Sequence, residues 1–172
     1  MTVHAGQAFF ERLGLPLNET ERAALAAVVR GVAGWSSVNA ARVQSWIELA
    51  RIVQGQHADD AWADWEEGER ERLWSLASEQ HTEHDLHRRL SAMNEALSSD
   101  AAHAASQVAE RDGIADTGLV AAAAAAALLA AHQASLVGLA GLAPEHYFRL
   151  KFELFRGGRW PLGVVDGVYR VF

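Results

Sequence analysis

The chain has 172 residues, half of them hydrophobic and 22% charged, a globular composition that excludes intrinsic disorder and is long enough to bury one core. It holds no cysteine, which removes disulfide frameworks, thiolate metal sites and cysteine nucleophiles. Its net charge of −7 disfavours nucleic acid and favours basic partners, and the start MTVHAGQAFFERLG shows no secretory signal pattern, so a cytoplasmic protein is expected.

Taken in chain order, the periodicity predicts a mainly α, single-domain bundle of seven or eight helices over residues 1–172. A short helix before Gly14 would bury Phe9, Phe10 and Leu13. Asn18 with Glu21 forms a capping-box start, followed by Leu25, Val28, Val29, Val32 and Trp35 at helical spacing. Ser36 or Ser37 is expected to cap a third helix carrying Val43, Trp46, Leu49, Ala50 and Val53. After a break at 55–58, a helical pattern runs from Asp59 to Glu79. Thr82 and Asp85 open the next, with Leu86, Leu90, Met93 and Leu97 on its apolar face. Ser98, Ser99 and Asp100 suggest a separate helix ending near Asp112 and Gly113.

Leu119 to Ala143 contains no charge and reaches the ~20-residue length of a membrane span. Its many alanines, its polar His132, Gln133 and Ser135, and the lack of an aromatic belt favour a buried central helix and no membrane partner. Pro144 suits the first turn of a last helix stopped by Gly157 and Gly158. In RWPLGVVDGVYRVF the period changes, and Asp166-Gly167 between Val-rich runs predicts a type I′ β-hairpin over about 159–172. A lone hairpin is marginal in water, so it is expected to dock, as the apolar end at Phe172 also suggests.

HTEHDLHRRL at 81–90 packs three histidines into seven residues. With Leu86, Leu90, Met93 and Leu97 facing the core, His84 lies roughly 150° away and His87 about 90° away. His81 precedes the cap. Helical carboxylate metal sites use inward Glu and Glu-x-x-His, whereas here the spacing is Glu83-x-x-x-His87. The segment reads as a solvated face; neither a metal nor another cofactor is expected.

Two residues sit oddly. Trp62, Trp65, Leu73 and Leu76 share a stripe into which Glu69 projects, with Glu66 within about 60° of it. A carboxylate buried beside tryptophans requires a partner or a raised pKa, and is then a candidate acid, base or ligand. Alternatively, Gly68 breaks the helix, or the stripe lies at the surface. On the uncharged helix, His132 falls among Leu128, Leu129, Leu136 and Leu139. It could be a core histidine bonded to a carbonyl, or the partner of Glu66 or Glu69 across two helices.

The segment AHQASLVGLAG at 131–141 resembles the last helix of metal-dependent helical-bundle hydrolases related to the DinB family, which place histidines inside the bundle. The resemblance covers about ten residues and lacks a second histidine four positions away. With the two misplaced carboxylates it makes the alternative a small metal- or carboxylate-dependent enzyme, DinB-like or ferritin-like, with Glu66, Glu69 and His132 as the catalytic candidates. No phosphate-binding loop, dinucleotide fingerprint, His-Glu-x-x-His or Gly-x-Ser-x-Gly occurs.

Charge points elsewhere. Asp59 to Glu71 holds seven of the 22 acidic residues against one arginine, with two tryptophans between them. Acidic residues steer a basic partner and aromatic anchors hold it. The expected partner face is Asp59, Asp60, Trp62, Asp64, Trp65 and Glu67. The basic tail, with Arg149, Lys151, Arg156, Arg159 and Arg170, could instead neutralise those acids within the fold. The leading expectation is a non-enzymatic binding protein, an acidic inhibitor of the immunity type that neutralises a basic toxin domain. The enzyme is the alternative.

Overall fold

The computed structural model describes residues 8–32, 38–55 and 59–172. They form α1 (Glu19–Arg30), β1 (Asn39–Arg42), α2 (Trp46–Gln54), α3 (Asp60–Gln80), α4 (Glu83–Asp112), α5 (Thr117–Leu139), α6 (Tyr147–Arg156), β2 (Pro161–Val165) and β3 (Val168–Val171). The fold is mainly helical with a C-terminal β-hairpin, but six helices replace the expected seven or eight among the described residues.

The count falls for two reasons. Residues 9–13 make turns, although Phe9, Phe10 and Leu13 are buried as expected. Ser98, Ser99 and Asp100 do not stop α4, because Ala101, Ala105 and Val108 continue its buried face and the polar residues turn outward, where serine carries only a modest helix penalty. The expected starts at Asn18, Asp59 and Thr82 are all N-caps, Asp116 caps the uncharged helix, and Asn18 with Glu21 completes the capping box. Pro144 precedes the last helix by a turn, and His146 supplies its cap.

The region expected as the third helix differs. Trp35, Ser36 and Ser37 lie outside the described residues. Beyond them the chain forms β1, and Ser45 caps α2. β1 pairs in parallel with β3, and the strand order β1-β3-β2 places β3 in the middle. The hairpin turn has Asp166 at φ 50° and Gly167 at φ 72°, the two left-handed residues that a type I′ turn requires. Trp160 and Phe172 close its open end by exchanging backbone hydrogen bonds at 2.8 and 2.9 Å, and Trp46 packs edge-on against Phe172.

α5 packs along α4 and α6. By length and composition it could cross a membrane, and 39% of its most apolar window is buried. The expectation of a buried central helix therefore holds for one side. Ala121, Ala125 and Leu129 face outward, Leu129 at 50% exposure.

Arg159, fully buried at the junction of α6 and β2, ties both ends of the fold together. Its guanidinium donates to both oxygens of Glu21 at 2.9 Å and to the carbonyls of Arg12, Leu15 and Pro16 at 2.6–2.9 Å. Burial opposes ionisation of Glu21. Hydrogen bonds from Arg159, the Asn18 backbone and Arg12 outweigh it and hold the carboxyl at about 2, against an ordinary 4.5. A carboxyl depressed in the folded state stabilises fully above its ordinary pKa, and that contribution disappears as pH falls from about 4.5 to about 2. Glu21→Gln is expected to destabilise the protein by about 3 kcal/mol at pH 7, as for a broken buried pair. The gap to wild type in urea midpoint should narrow progressively below pH 4.5. A gap independent of pH would show that the pair contributes nothing through its charge.

Candidate functional site

The rotation of α3 decides what the protein presents. At about 100° per residue, Asp60, Asp64, Glu67 and Glu71 fall on one stripe, and Trp62, Glu66, Glu69 and Leu73 on the opposite one. All four residues of the first stripe are exposed. Asp59 is half-buried, its side chain accepting from the Ala61 amide as the helix cap.

Trp62 is only 5% exposed. Its ring meets Trp65, Tyr147 and Tyr169 with centroids 5.2–5.7 Å apart. A Cβ on Gly163, which sits at φ +84° in β2, would lie 2.5 Å from the Trp62 ring nitrogen, so glycine lets the indole lie on the sheet. Trp62 is therefore a core residue here and not the exposed anchor expected from the sequence. Trp65 is half-buried against Tyr147 and Phe148.

Glu66 and Glu69 do project inward, with Gly68 leaving α3 unbroken. Lys151, the chain's one lysine, is 8% exposed and donates to the two oxygens of Glu66 at 2.7 and 2.9 Å. Tyr147 donates to Glu66 at 2.6 Å, and Lys151 also reaches the Gln133 side-chain oxygen on α5 at 3.3 Å. Tyr147 and Tyr169 approach each other through their hydroxyls at 3.3 Å. Burial first, then Tyr169 and Glu66, raise the Tyr147 pKa well above its ordinary value, so the phenol stays protonated.

Glu69 accepts two hydrogen bonds from Arg72, at 2.8 and 2.7 Å, and one from His146 at 2.7 Å. The Nδ1 of His146 accepts from the Phe148 amide, which leaves Nε2–H to face Glu69. Arg72 holds Glu69 below the ordinary carboxylate range, desolvation opposes it, and His146 adds to the lowering.

The three catalytic candidates thus occupy separate places. Glu66 is saturated by Tyr147 and Lys151 of α6, and Glu69 by Arg72 of α3 and by His146, the cap of α6. His132 stands on another side of α5 from its neighbour Gln133, which is buried toward Lys151. It lines a cavity of about 490 Å³ with Arg70, Glu71 and Trp74 of α3 and His87, Ser91 and Asn94 of α4. Burial, then the charge of Arg70, lowers the His132 pKa, so its imidazole is neutral at pH 7.

In HTEHDLHRRL, His84 and His87 are exposed. The His87 ring rests edge-on against Trp74 at 5.3 Å, and its Nδ1 lies 2.9 Å from the Glu83 carbonyl. Among the described residues no group of three or more His, Asp or Glu side chains is arranged to hold a metal.

Comparison with protein-family models, curated proteins and solved structures finds no match. The likeness of 131–141 to DinB-related hydrolases therefore rests on those residues alone. Sequence reasoning placed Lys151 in a basic tail able to neutralise the acidic helix, but missed Tyr147 and His146 as partners of the inward acids, with Gln133 bonded to Lys151 and Tyr169 to Tyr147 behind them. The sole lysine, one helical turn after a tyrosine, was the available signal.

If the Glu66–Lys151 pair holds α3 on α6, Lys151→Met and Glu66→Gln should each destabilise by about 3–5 kcal/mol, because each leaves a buried group unpaired. The double variant should recover at least half of the summed loss in urea denaturation. Strict additivity would show that the two side chains are energetically independent.

Proposed function

We propose that this chain is a non-enzymatic, cytoplasmic protein-binding module of the inhibitor or immunity type, which captures a basic protein partner such as a toxin domain on the outer face of α3. One observation carries the reading: Asp60, Asp64, Glu67 and Glu71 form a continuous exposed stripe that runs into the cavity lined by Glu71 and Trp74. The inward acids Glu66 and Glu69 are neutralised within the fold, whereas Asp60, Asp64 and Glu71 have no ion-pair partner among the described residues. Glu67 pairs only with its neighbour Arg70.

The stripe supplies steering and the cavity supplies the anchor point that Trp62 does not. A cationic side chain entering beside Glu71 can lie on the Trp74 ring, a contact worth ~0.5–2 kcal/mol. Asp59, the cap of α3, stands at the start of this stripe, whereas Trp65 packs against Tyr147 and Phe148 on another side of the helix. The opposite side of α3 is covered by α5 and by Tyr147 and Phe148 of α6.

The partner is to be captured at low salt and identified, and its binding kinetics measured. Changing Asp60, Asp64 and Glu67 together to lysine is expected to slow association about tenfold or more and flatten its salt dependence, with little change in dissociation. Trp74→Ala should instead speed dissociation about tenfold, the scale of a modest anchor. An acidic partner, or association indifferent to both salt and the triple reversal, would sink the proposal.

A further inference from the structure

A second concavity, of about 740 Å³, lies between α4 and α6 over α5, and shares only Leu90 with the cavity at Trp74. Ala131, Ala134 and Gly138 make its floor, with the longer Met93, Leu97 and Phe152 beside them. Its charges are unevenly compensated. Arg89 is bonded to Asp85 at 2.8 Å and Arg156 to Glu153 at 2.8 Å. The side chain of Arg149, half-buried, has no hydrogen-bond or ion-pair partner among the described residues.

The guanidinium of Arg149 lies over Gly138. Its Nη2 lies 2.9 Å from where a Cβ on Gly138 would stand, so the glycine leaves room for the charge to rest on the last turn of α5. Glycine inside a helix costs ~1 kcal/mol against alanine, and here that residue places one uncompensated cation at the end of an apolar slot. From Met93 to Leu97 along α4 and from Arg149 to Arg156 along α6, the slot runs on the order of 10 Å. Its volume lies within the roughly 300–1,000 Å³ of small-molecule sites.

We propose that this groove binds an amphiphile with one carboxylate and a medium-length apolar chain, as in a free fatty acid. The carboxylate sits on Arg149, where a charge-assisted, two-point contact is available. The chain lies over Ala131 and Ala134 between Met93 and Phe152. One positive charge without a partner matches one carboxylate, and a floor of small residues suits a thin chain better than a helix ~10–12 Å across.

The test is calorimetric titration of the full chain with decanoate below its micelle concentration, beside decanol and acetate. Decanoate is expected to bind one-to-one, with decanol and acetate each at least about tenfold weaker. Arg149→Gln should reduce decanoate affinity about tenfold or more and leave decanol unchanged, while Arg149→Lys restores part of it. Gly138→Ala keeps the charge but displaces the guanidinium, and should also weaken decanoate; circular dichroism confirms that each variant is folded. The proposal is overturned if decanoate does not saturate by about 1 mM, if decanol binds equally, or if Arg149→Gln binds decanoate like wild type. Tighter binding of an acidic amphipathic peptide than of decanoate in the same groove would also overturn it, and make the groove a protein-docking surface.

Discussion

Lys151 held under Glu66 is the constraint on which the orientation of α3 depends. Taking two charges out of water costs several kcal/mol per ion unless geometry and further hydrogen bonds compensate. Here Tyr147 and Gln133 supply those bonds from α6 and α5. Once Glu66 faces inward, the helical repeat leaves Asp60, Asp64, Glu67 and Glu71 no choice but to face outward. One buried contact thereby sorts a run of seven acids into an inner set that is neutralised and an outer set that is offered to solvent.

The second buried pair, Arg159 with Glu21, follows the same logic at the other side of the fold. Both cations belong to the segment from α6 onward, and both acids come from earlier helices. The opposed charge of the two regions of sequence is therefore partly an internal matter: the basic tail reaches the acids that point inward. It does not reach the outer stripe of α3, since Arg156 turns to Glu153 and Arg170 lies 3.9 Å from Glu48. Internal neutralisation and an outward acidic face coexist because each uses a different side of one helix.

α5 lets three other helices meet. Its alanines permit close approach on the packed side, and its few larger or polar residues each mark a different surface. Gln133 enters the buried network, His132 the cavity at Trp74, and Gly138 the floor of the arginine-rimmed groove. The groove arises where small side chains on α5 leave α4 and α6 without a filling residue between them, whereas the cavity at Trp74 takes only His132 from α5.

The local signals in the chain determined what local physics can determine. Asn18, Asp59, Thr82 and Asp116 cap helices because a side-chain oxygen can satisfy free amides within three residues. Asp166-Gly167 turns a hairpin because both residues tolerate positive φ. Helical spacing also placed Glu66 and Glu69 on the Trp62 stripe, but left open whether that stripe faced the core or the surface. What only the tertiary structure decided were the partners, which come from residues far along the chain. Periodicity paired Glu69 with His132 as readily as with His146, since it gives the face of a residue and not the element opposite. Nor does it show that Gly163 clears a seat for Trp62, turning an expected anchor into core. β1 escaped notice for the same reason: a strand of four residues, NAAR, has no apolar pattern of its own, and takes its conformation from pairing with β3 more than 120 residues later.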